Sequence, residues 1–267
     1  MVRNAERTVS SPRDVNQSSL FMLRVLEEVG RRQPVSLGEL AAIFERPKTT
    51  VHRALVTLHE AGWIWPSGHE RTRWVLTPRV VGLARRAGDA LGVREVARPI
   101  MERLRDEATE SVLLAIGDDR TWTVVDLVEG RRPVRFVPND VVGYRYPLHA
   151  GANGKVILAH LEPSRLEAYL QEPLERLTQH TVVDADALRA ELARVRVDGY
   201  AATKGETNDE EAAGVAAPIF DLLGEVTASV AVAYPAHRSS PSLISGLWPL
   251  VVDAAAMVTA ALSGRTL

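Results

Sequence analysis

The sequence predicts an α+β protein of two domains, and three observations carry that reading. Residues 36–64, SLGELAAIFERPKTTVHRALVTLHEAGWI, have the pattern of two short helices joined by a tight turn. Two β-prone runs around a polar tip follow at once, the pattern of a wing, and beyond residue 110 strand-like runs alternate with helix-like ones around what reads as an antiparallel sheet. The 267 residues suit roughly two domains at about 150 residues each.

Residues 1–15 are polar, with Ser10, Ser11 and Pro12 among scattered charges, and are expected to form a mobile arm. Arg3, Arg7 and Arg13 either trail into a minor groove or belong to a disordered leader. From Ser18 or Ser19 a helix begins, with Met22, Val25, Leu26 and Val29 at helical spacing and Gly30 expected to end it. Ser36-Leu37-Gly38-Glu39 is a capping box, in which the hydroxyl accepts a backbone N–H and the carboxylate reaches back to the Ser36 amide. Leu37, Leu40 and Ala41 give the second helix its apolar side, and Val51, Ala54, Leu55 and Leu58 form the buried stripe of the third, which Gly62 stops. The opposite face of the third helix carries Thr49, His52, Arg53 and Thr57, with Lys48 and Thr50 at its first turn. These are donors long enough to reach phosphates and base edges in a major groove. A plain amphipathic surface helix shows the same pattern, so the spacing alone leaves both readings open.

Trp63-Ile64-Trp65-Pro66 and Arg73-Trp74-Val75-Leu76 flank the tip SGHERT, completing a winged helix-turn-helix domain expected at 16–78. Arg71 and Arg73 would lie against a phosphate backbone, or else are solvated hairpin charges. Arg79 to Ala97 reads as a helix with a narrow apolar seam of Val80, Leu83, Ala84, Ala87 and Leu91, suited to a partner helix or to its own domain; Gly88 and Gly92 weaken it. Taking 79–94 as a linker leaves 95–267 as the second domain. Pro99 to Thr109 is expected to continue as a helix, Ser111 to Gly117 and Thr121 to Glu129 to pair as a hairpin, and Val134 to Val137 to add a strand. Further strands are expected at 199–201, 214–220 and 225–234, with helices near 154–170, 184–198 and 240–263, the last kinked at Pro249. Asp184 and Gly199 cap the two ends of one of these helices, and Ser240-Pro241 opens another.

PKTTVHRALVTLHEAGWI, preceded by SLGELA and followed by RWVLTPRVVGLA, resembles the isocitrate lyase regulator (IclR) family of bacterial transcription factors. The likeness continues through LARRAGDALGVREVARPIMERLRDEA, YPLHAGANGKVILA, LRAELARVRVDGYA and GVAAPIFDLLGEVTASVAVAYPA, so it covers nearly the whole chain. It implies a GAF-like effector-binding domain after the winged domain, a linker helix that contributes to dimerisation, and regulation of transcription by a small molecule. The implied partners are a near-palindromic double-stranded DNA operator and a second copy of the chain, as a dimer or a dimer of dimers. Relatives carry Gly-Leu in the turn where this chain has Glu45-Arg46; a non-glycine residue in a left-handed turn costs about 1 kcal/mol. Arg46 could cover the core with its stem and present its head to phosphate. Arg46 and Ser36 join the expected DNA-contacting set.

The loop His149-Ala150-Gly151-Ala152-Asn153-Gly154-Lys155 frees backbone N–H groups at a helix start, where the dipole favours an anion. It is not a P-loop, because His149 precedes Gly154 by five and Val156 follows Lys155. By the residues alone the loop is either a structural helix start or a ligand site. The resemblance implies a carboxylate held on the backbones of Ala152 and Asn153, between Gly151 and Gly154, with Glu206, Gly214, Ala231 and Ala233 around it. Ser229 shares the face of Ala231 and Ala233 by the strand period of two. Gly214 stands where relatives often have Cys or Ser, and Ala231 and Ala233 where some have Ser. The apolar wall favours a bulkier or more hydrophobic acid, an aromatic one included, over a small keto acid.

With no cysteine, disulfides and thiolate metal sites are excluded. No charge-free apolar run approaches the ~18 residues of a membrane span, and MVRNAERTVSSPRD lacks a signal-peptide core, so a cytoplasmic protein with no membrane partner is expected. Formal charge is −2 overall, but residues 1–83 hold 12 Lys+Arg against 8 Asp+Glu, and the remainder 20 against 26. A modest excess in the first part leaves phosphate neutralisation to a few well-placed groups. No H-E-x-x-H, G-x-S-x-G or G-x-G-x-x-G pattern occurs, and His149, His160 and His180 lack metal-ligand spacing and read as surface or loop residues. No cofactor is expected. The rival reading is a metabolite-modifying enzyme with an appended winged-helix interaction module, which would turn over its ligand.

Overall fold

The computed structural model describes residues 15–67, 72–83, 92–135, 141–207 and 210–264. The chain divides into two compact units, Met1–Asp89 and Ala90–Leu267. The proposed arm at 1–15 lies outside the described residues except for Val15, and so does Arg71.

In the first unit α1 (Gln17–Arg32) is capped by Asn16, whose side chain accepts from the Ser18 and Ser19 amides at 3.0 and 3.1 Å. The helix runs past Gly30 rather than ending there. That glycine instead allows close packing, since a Cβ on it would come 3.2 Å from the Leu76 side chain. After β1 (Val35–Ser36) come α2 (Leu37–Ile43) and α3 (Lys48–Glu60), then β2 (Ile64–Ser67) and β3 (Arg73–Leu76), which pair antiparallel in the order β1-β3-β2. The capping box forms as expected, with Ser36 Oγ accepting from the Glu39 amide and Glu39 accepting from the Ser36 amide. Both helices of the motif end in the same way. At α3 the amides of Gly62 and Trp63 donate to His59 and Leu58, with Gly62 at φ 77°. At α2 the amides of Glu45 and Arg46 donate to Ala42 and Ala41, and Glu45 takes the left-handed position at φ 49° that a glycine would hold without strain. Val25, Val29, Leu40, Val51, Leu55, Leu58 and Ile64 close one core beneath the three helices. Residues 79–83 are helical.

In the second unit α4 (Val93–Ala108) starts afresh behind Gly92 at φ 58°, so the helix expected over Arg79 to Ala97 does not run through. Pro99 lies inside α4, which is one helix where the sequence reading had placed a boundary. β4 (Ser111–Gly117) and β5 (Thr121–Val128) form the expected hairpin. Residues 134 and 135 are not in a strand, and 136–137 lie outside the described residues. β6 (Arg145–Pro147) follows, then two helices in place of the single one expected, α5 (Ala152–His160) and α6 (Pro163–Leu170), the second with Pro163 in its first turn. α7 (Ala185–Asp198) begins at the Asp184 cap and ends at Gly199, as its sequence signals indicate. β7 (Ala201–Lys204), β8 (Ala212–Phe220), β9 (Val226–Pro235) and α8 (Pro241–Ser263) complete the unit.

The six strands are antiparallel in the order β6-β5-β4-β9-β8-β7. Period-two alternation divides them between two cores. Val230, Val232 and Tyr234 face the layer of α4 and α8, whereas Ala231 and Ala233 face that of α5 and α7. α8 is long and apolar enough to cross a membrane by length and composition; here its Leu247, Val251, Ala254, Ala255 and Val258 are buried in the α4 and α8 core. α5 is buried on all sides from Ala152 to Ala159, which places its N-terminal amides inside the unit.

Candidate nucleic-acid interface and ligand site

On α3 the apolar residues Val51, Ala54, Leu55 and Leu58 are buried, which turns the rest of the helix outward. Lys48, Thr49, Thr50, His52, Arg53 and Thr57 are all exposed, as is Arg46 in the preceding turn. Pro47 occupies the cap position of α3 without a side-chain hydrogen bond, and its carbonyl accepts the Thr50 and Val51 amides at 2.9 and 3.3 Å. Val56, which the sequence reading passed over, is 40% exposed on this face, four residues after His52. The one sign of it in the sequence is a β-branched residue off the buried stripe. A groove of about 530 Å³ separates the first turns of α1 from Arg46, Thr50, Arg53 and Thr57.

Two residues assigned to this surface have other employment. Ser36 Oγ is the α2 cap, and Arg73 Nη1 donates to the Pro34 carbonyl at 2.9 Å with Glu39 3.6 Å away. Arg73 keeps 45% of its side chain exposed, so it remains at the surface.

In the second unit a cavity of about 60 Å³ opens at the N-terminus of α5. Its floor is Gly151, Ala152 and Asn153; Leu113, Trp122, Gly214, Ala231 and Ala233 form the apolar wall; Thr203, Glu206 and Thr207 supply the polar side. The amides of Ala152 and Asn153 carry no acceptor among the described residues. Gly151 sits at φ 82°, the turn that aims these amides inward.

Two expected members lie elsewhere. Ser229 is fully buried behind the wall, its hydroxyl donating to Asn153 Oδ1 at 2.9 Å and so steadying the floor. Gly154 packs under Trp122, where a Cβ would come 2.5 Å from both the Trp122 ring and the Leu148 carbonyl oxygen. Its role is close approach.

The polar side is built around Lys155, whose side chain is 0% exposed. Its Nζ donates to Glu206 Oε1 at 2.6 Å and Glu191 Oε1 at 2.7 Å, while Glu206 Oε2 accepts the Gly151 amide at 3.2 Å. Burial pushes the Glu206 carboxyl above the ordinary carboxylate range, against the opposing pull of Lys155. The segment carrying Glu206 is pinned from behind: Thr181 Oγ1 donates to the Glu206 carbonyl at 2.9 Å and Thr178 Oγ1 to that of Gly205 at 2.5 Å.

His149 is also buried, contrary to its expected loop or surface setting. Nε2 donates to the Glu175 carbonyl at 2.8 Å, leaving Nδ1 to accept from the Tyr169 hydroxyl at 2.7 Å. Burial lowers its imidazole below the usual value, with the Glu175 carbonyl opposing. Among the described residues no group of three or more His, Asp or Glu is placed to hold a metal ion.

An exposed cationic helix on a helix-turn-helix unit, in a chain whose second unit has an internal pocket at a helix N-terminus, defines a ligand-sensing regulator of transcription. Residues 22–65 match the IclR helix-turn-helix domain, and residues 86–260 match the bacterial transcriptional regulator IclR C-terminal domain. The chain belongs to the IclR family: it is a transcriptional regulator with a DNA-binding helix-turn-helix and an effector-binding domain. It is 34% identical over 242 residues to the HTH-type transcriptional regulator BhcR of Paracoccus denitrificans, covering 87% of this chain and 82% of that one. Among solved structures, Thermotoga maritima IclR shares the fold at a TM-score of 0.72 and 23% identity, covering 92% and 98% of the two chains. An IclR homologue from Microbacterium hydrocarbonoxydans, solved with 4-hydroxybenzoate, aligns at a TM-score of 0.72 and 26% identity, covering 92% and 99%. Curated relatives are named as regulators and repressors, which sets aside the reading as an enzyme.

Proposed function

We propose that this protein works in the cytoplasm as a dimer, or a dimer of dimers, that reads a near-palindromic operator through paired α3 helices. A small carboxylic acid held on the Ala152 and Asn153 amides alters that binding. The observation that carries the DNA reading is the division of α3: one side wholly in the core, the other a continuous exposed run of Lys48, Thr49, His52, Arg53 and Thr57. Arg53 and His52 stand for base contact, Val56 for a thymine methyl, and Lys48, Thr50, Arg46 and Arg73 for phosphate. The organisation that goes with this reading is an operator-binding domain at 16–78, a linker at 79–94 and a sensor at 95–267, the effector biasing the sensor between two arrangements.

The ligand reading rests on the open amides at the buried start of α5. At about 60 Å³ the cavity is well below the 150 Å³ that accommodates benzene, so its present walls suit a short acid and not the bulkier one expected from the apolar wall alone. The relative solved with 4-hydroxybenzoate favours a second reading, an aromatic acid, which needs a larger chamber than the one seen here.

Fluorescence anisotropy with operator DNA tests the proposal. Arg53→Ala is expected to weaken specific binding by about 1–3 kcal/mol, and Lys48→Ala to weaken all sequences alike and lower the salt slope by about 1. Unchanged affinity in Arg53→Ala removes α3 from the readout. An operator affinity indifferent to every carboxylic acid tried removes the sensor role.

A further inference from the structure

Glu206 places a second negative group beside the position assigned to the ligand's carboxylate. Its Oε2 accepts the amide of Gly151, and the two amides assigned to the ligand are the next along the backbone, about 4 Å on for each peptide unit. Lys155 does not cancel this charge, because its ammonium is shared with Glu191 as well, one cation between two carboxylates. The Gly151 amide and Lys155 Nζ hold the Glu206 carboxylate in place, and Thr178 and Thr181 hold the backbone that carries it. Donors on both oxygens favour the ionised form against the upward push of burial, yet an ionised carboxylate has about four acceptor positions, and here two are filled. The spare ones belong to a residue that lines the cavity.

A plain acid would therefore set its carboxylate against Glu206 with nothing between them. An acid with a donor on the adjacent carbon would bridge the two. We infer that Glu206 is the specificity-determining residue of the pocket, and that its ligand is a short carboxylic acid bearing a hydroxyl or ammonium donor beside the carboxylate. The inference rests on the carboxylate reading above and deepens it. Thr203 and Thr207 border the same side and can accept or donate as the remaining substituent requires. A keto oxygen, which only accepts, leaves Glu206 unanswered.

The test is calorimetric titration of the full-length protein with four acids of one size: lactate and alanine, each in both enantiomers, against propionate and pyruvate. Lactate or alanine is expected to bind at least about tenfold more tightly than propionate, with pyruvate ranking beside propionate. Which of the two wins separates a hydroxy acid from an amino acid. In Glu206→Gln the preference should fall to about threefold or less, since a neutral amide removes the repulsion. The wild-type ranking decides even if that variant folds poorly. Equal binding of all four, or propionate affinity that rises about tenfold per unit fall in pH until it matches lactate, overturns the inference, because a proton from solvent would then be doing the bridging. Absence of binding by all four overturns the short-acid reading on which the inference rests.

Discussion

Replacing Lys155 by Met offers the most direct test of how the proposed ligand site is held together. The Lys155 side chain is 0% exposed, with Glu206 at 10% and Glu191 at 23%. Taking away the ammonium leaves Glu206 buried with the Gly151 amide as its remaining donor at this carboxylate, whereas Glu191 can recover water. Breaking a buried pair from one side costs about 3–5 kcal/mol, chiefly because an uncompensated charge is left behind. Adding Glu206→Gln removes that charge, so the double variant should regain about 2 kcal/mol over Lys155→Met alone. The pair is then strongly non-additive, as expected for groups in direct contact. Amide hydrogen exchange of residues 152–160 in the full-length chain reports the opening free energy of the element that carries Lys155. A cost under about 1 kcal/mol for Lys155→Met, or additive single effects, would refute the argument that the pair is buried and mutually dependent.

Three further outcomes follow from local geometry. Glu45→Gly should stabilise the first unit by roughly 1 kcal/mol in urea titration, because Glu45 occupies a left-handed position at φ 49° and closes the α2 terminus through its backbone. Asp184→Ala should cost about 1 kcal/mol, since the Asp184 side chain accepts the Ala187 amide at 2.8 Å as the cap of α7. Burial depresses the imidazoles of both His149 and His160, so as pH falls the unfolded chain takes up protons before the folded one does. Their contribution is complete above the ordinary value of 6.5 and is lost as pH falls from there toward the depressed values. The urea midpoint should drop between pH 7.5 and 5.5, and His149→Gln should flatten that drop; an unaltered slope would mean the residue is not buried neutral.

What the sequence disclosed was mostly local. Ser36 and Glu39 are three residues apart and lock each other, so the start of α2 is readable without knowing the fold. Gly62 and Gly199 announce helix ends because their φ is positive, and Glu45 could be picked out as the residue standing where that freedom is needed. The environment of Lys155 was hidden for the opposite reason. Its partners lie 36 and 51 residues downstream, and a lysine in an apolar run gives no sign that two acids will reach it. Ser229 shared a strand face with Ala231 and Ala233, and period two identified that face correctly; position along the strand, which put it against Asn153 rather than the cavity, needed the register. Gly30 looked like a stop because its packing against Leu76 is set by a strand more than forty residues away.

On β9, Ala231 and Ala233 belong to the wall of the α5 cavity, while the alternating residues Val230, Val232 and Tyr234 point into a separate core. Chemical taste and structural integrity are thereby written on alternate letters of the same strand. A hydroxyl or a methyl added at 231 or 233 alters what the chamber welcomes without touching the layer behind it. A family built on this plan can shift from one metabolite to another in single steps while its scaffold stays as it was.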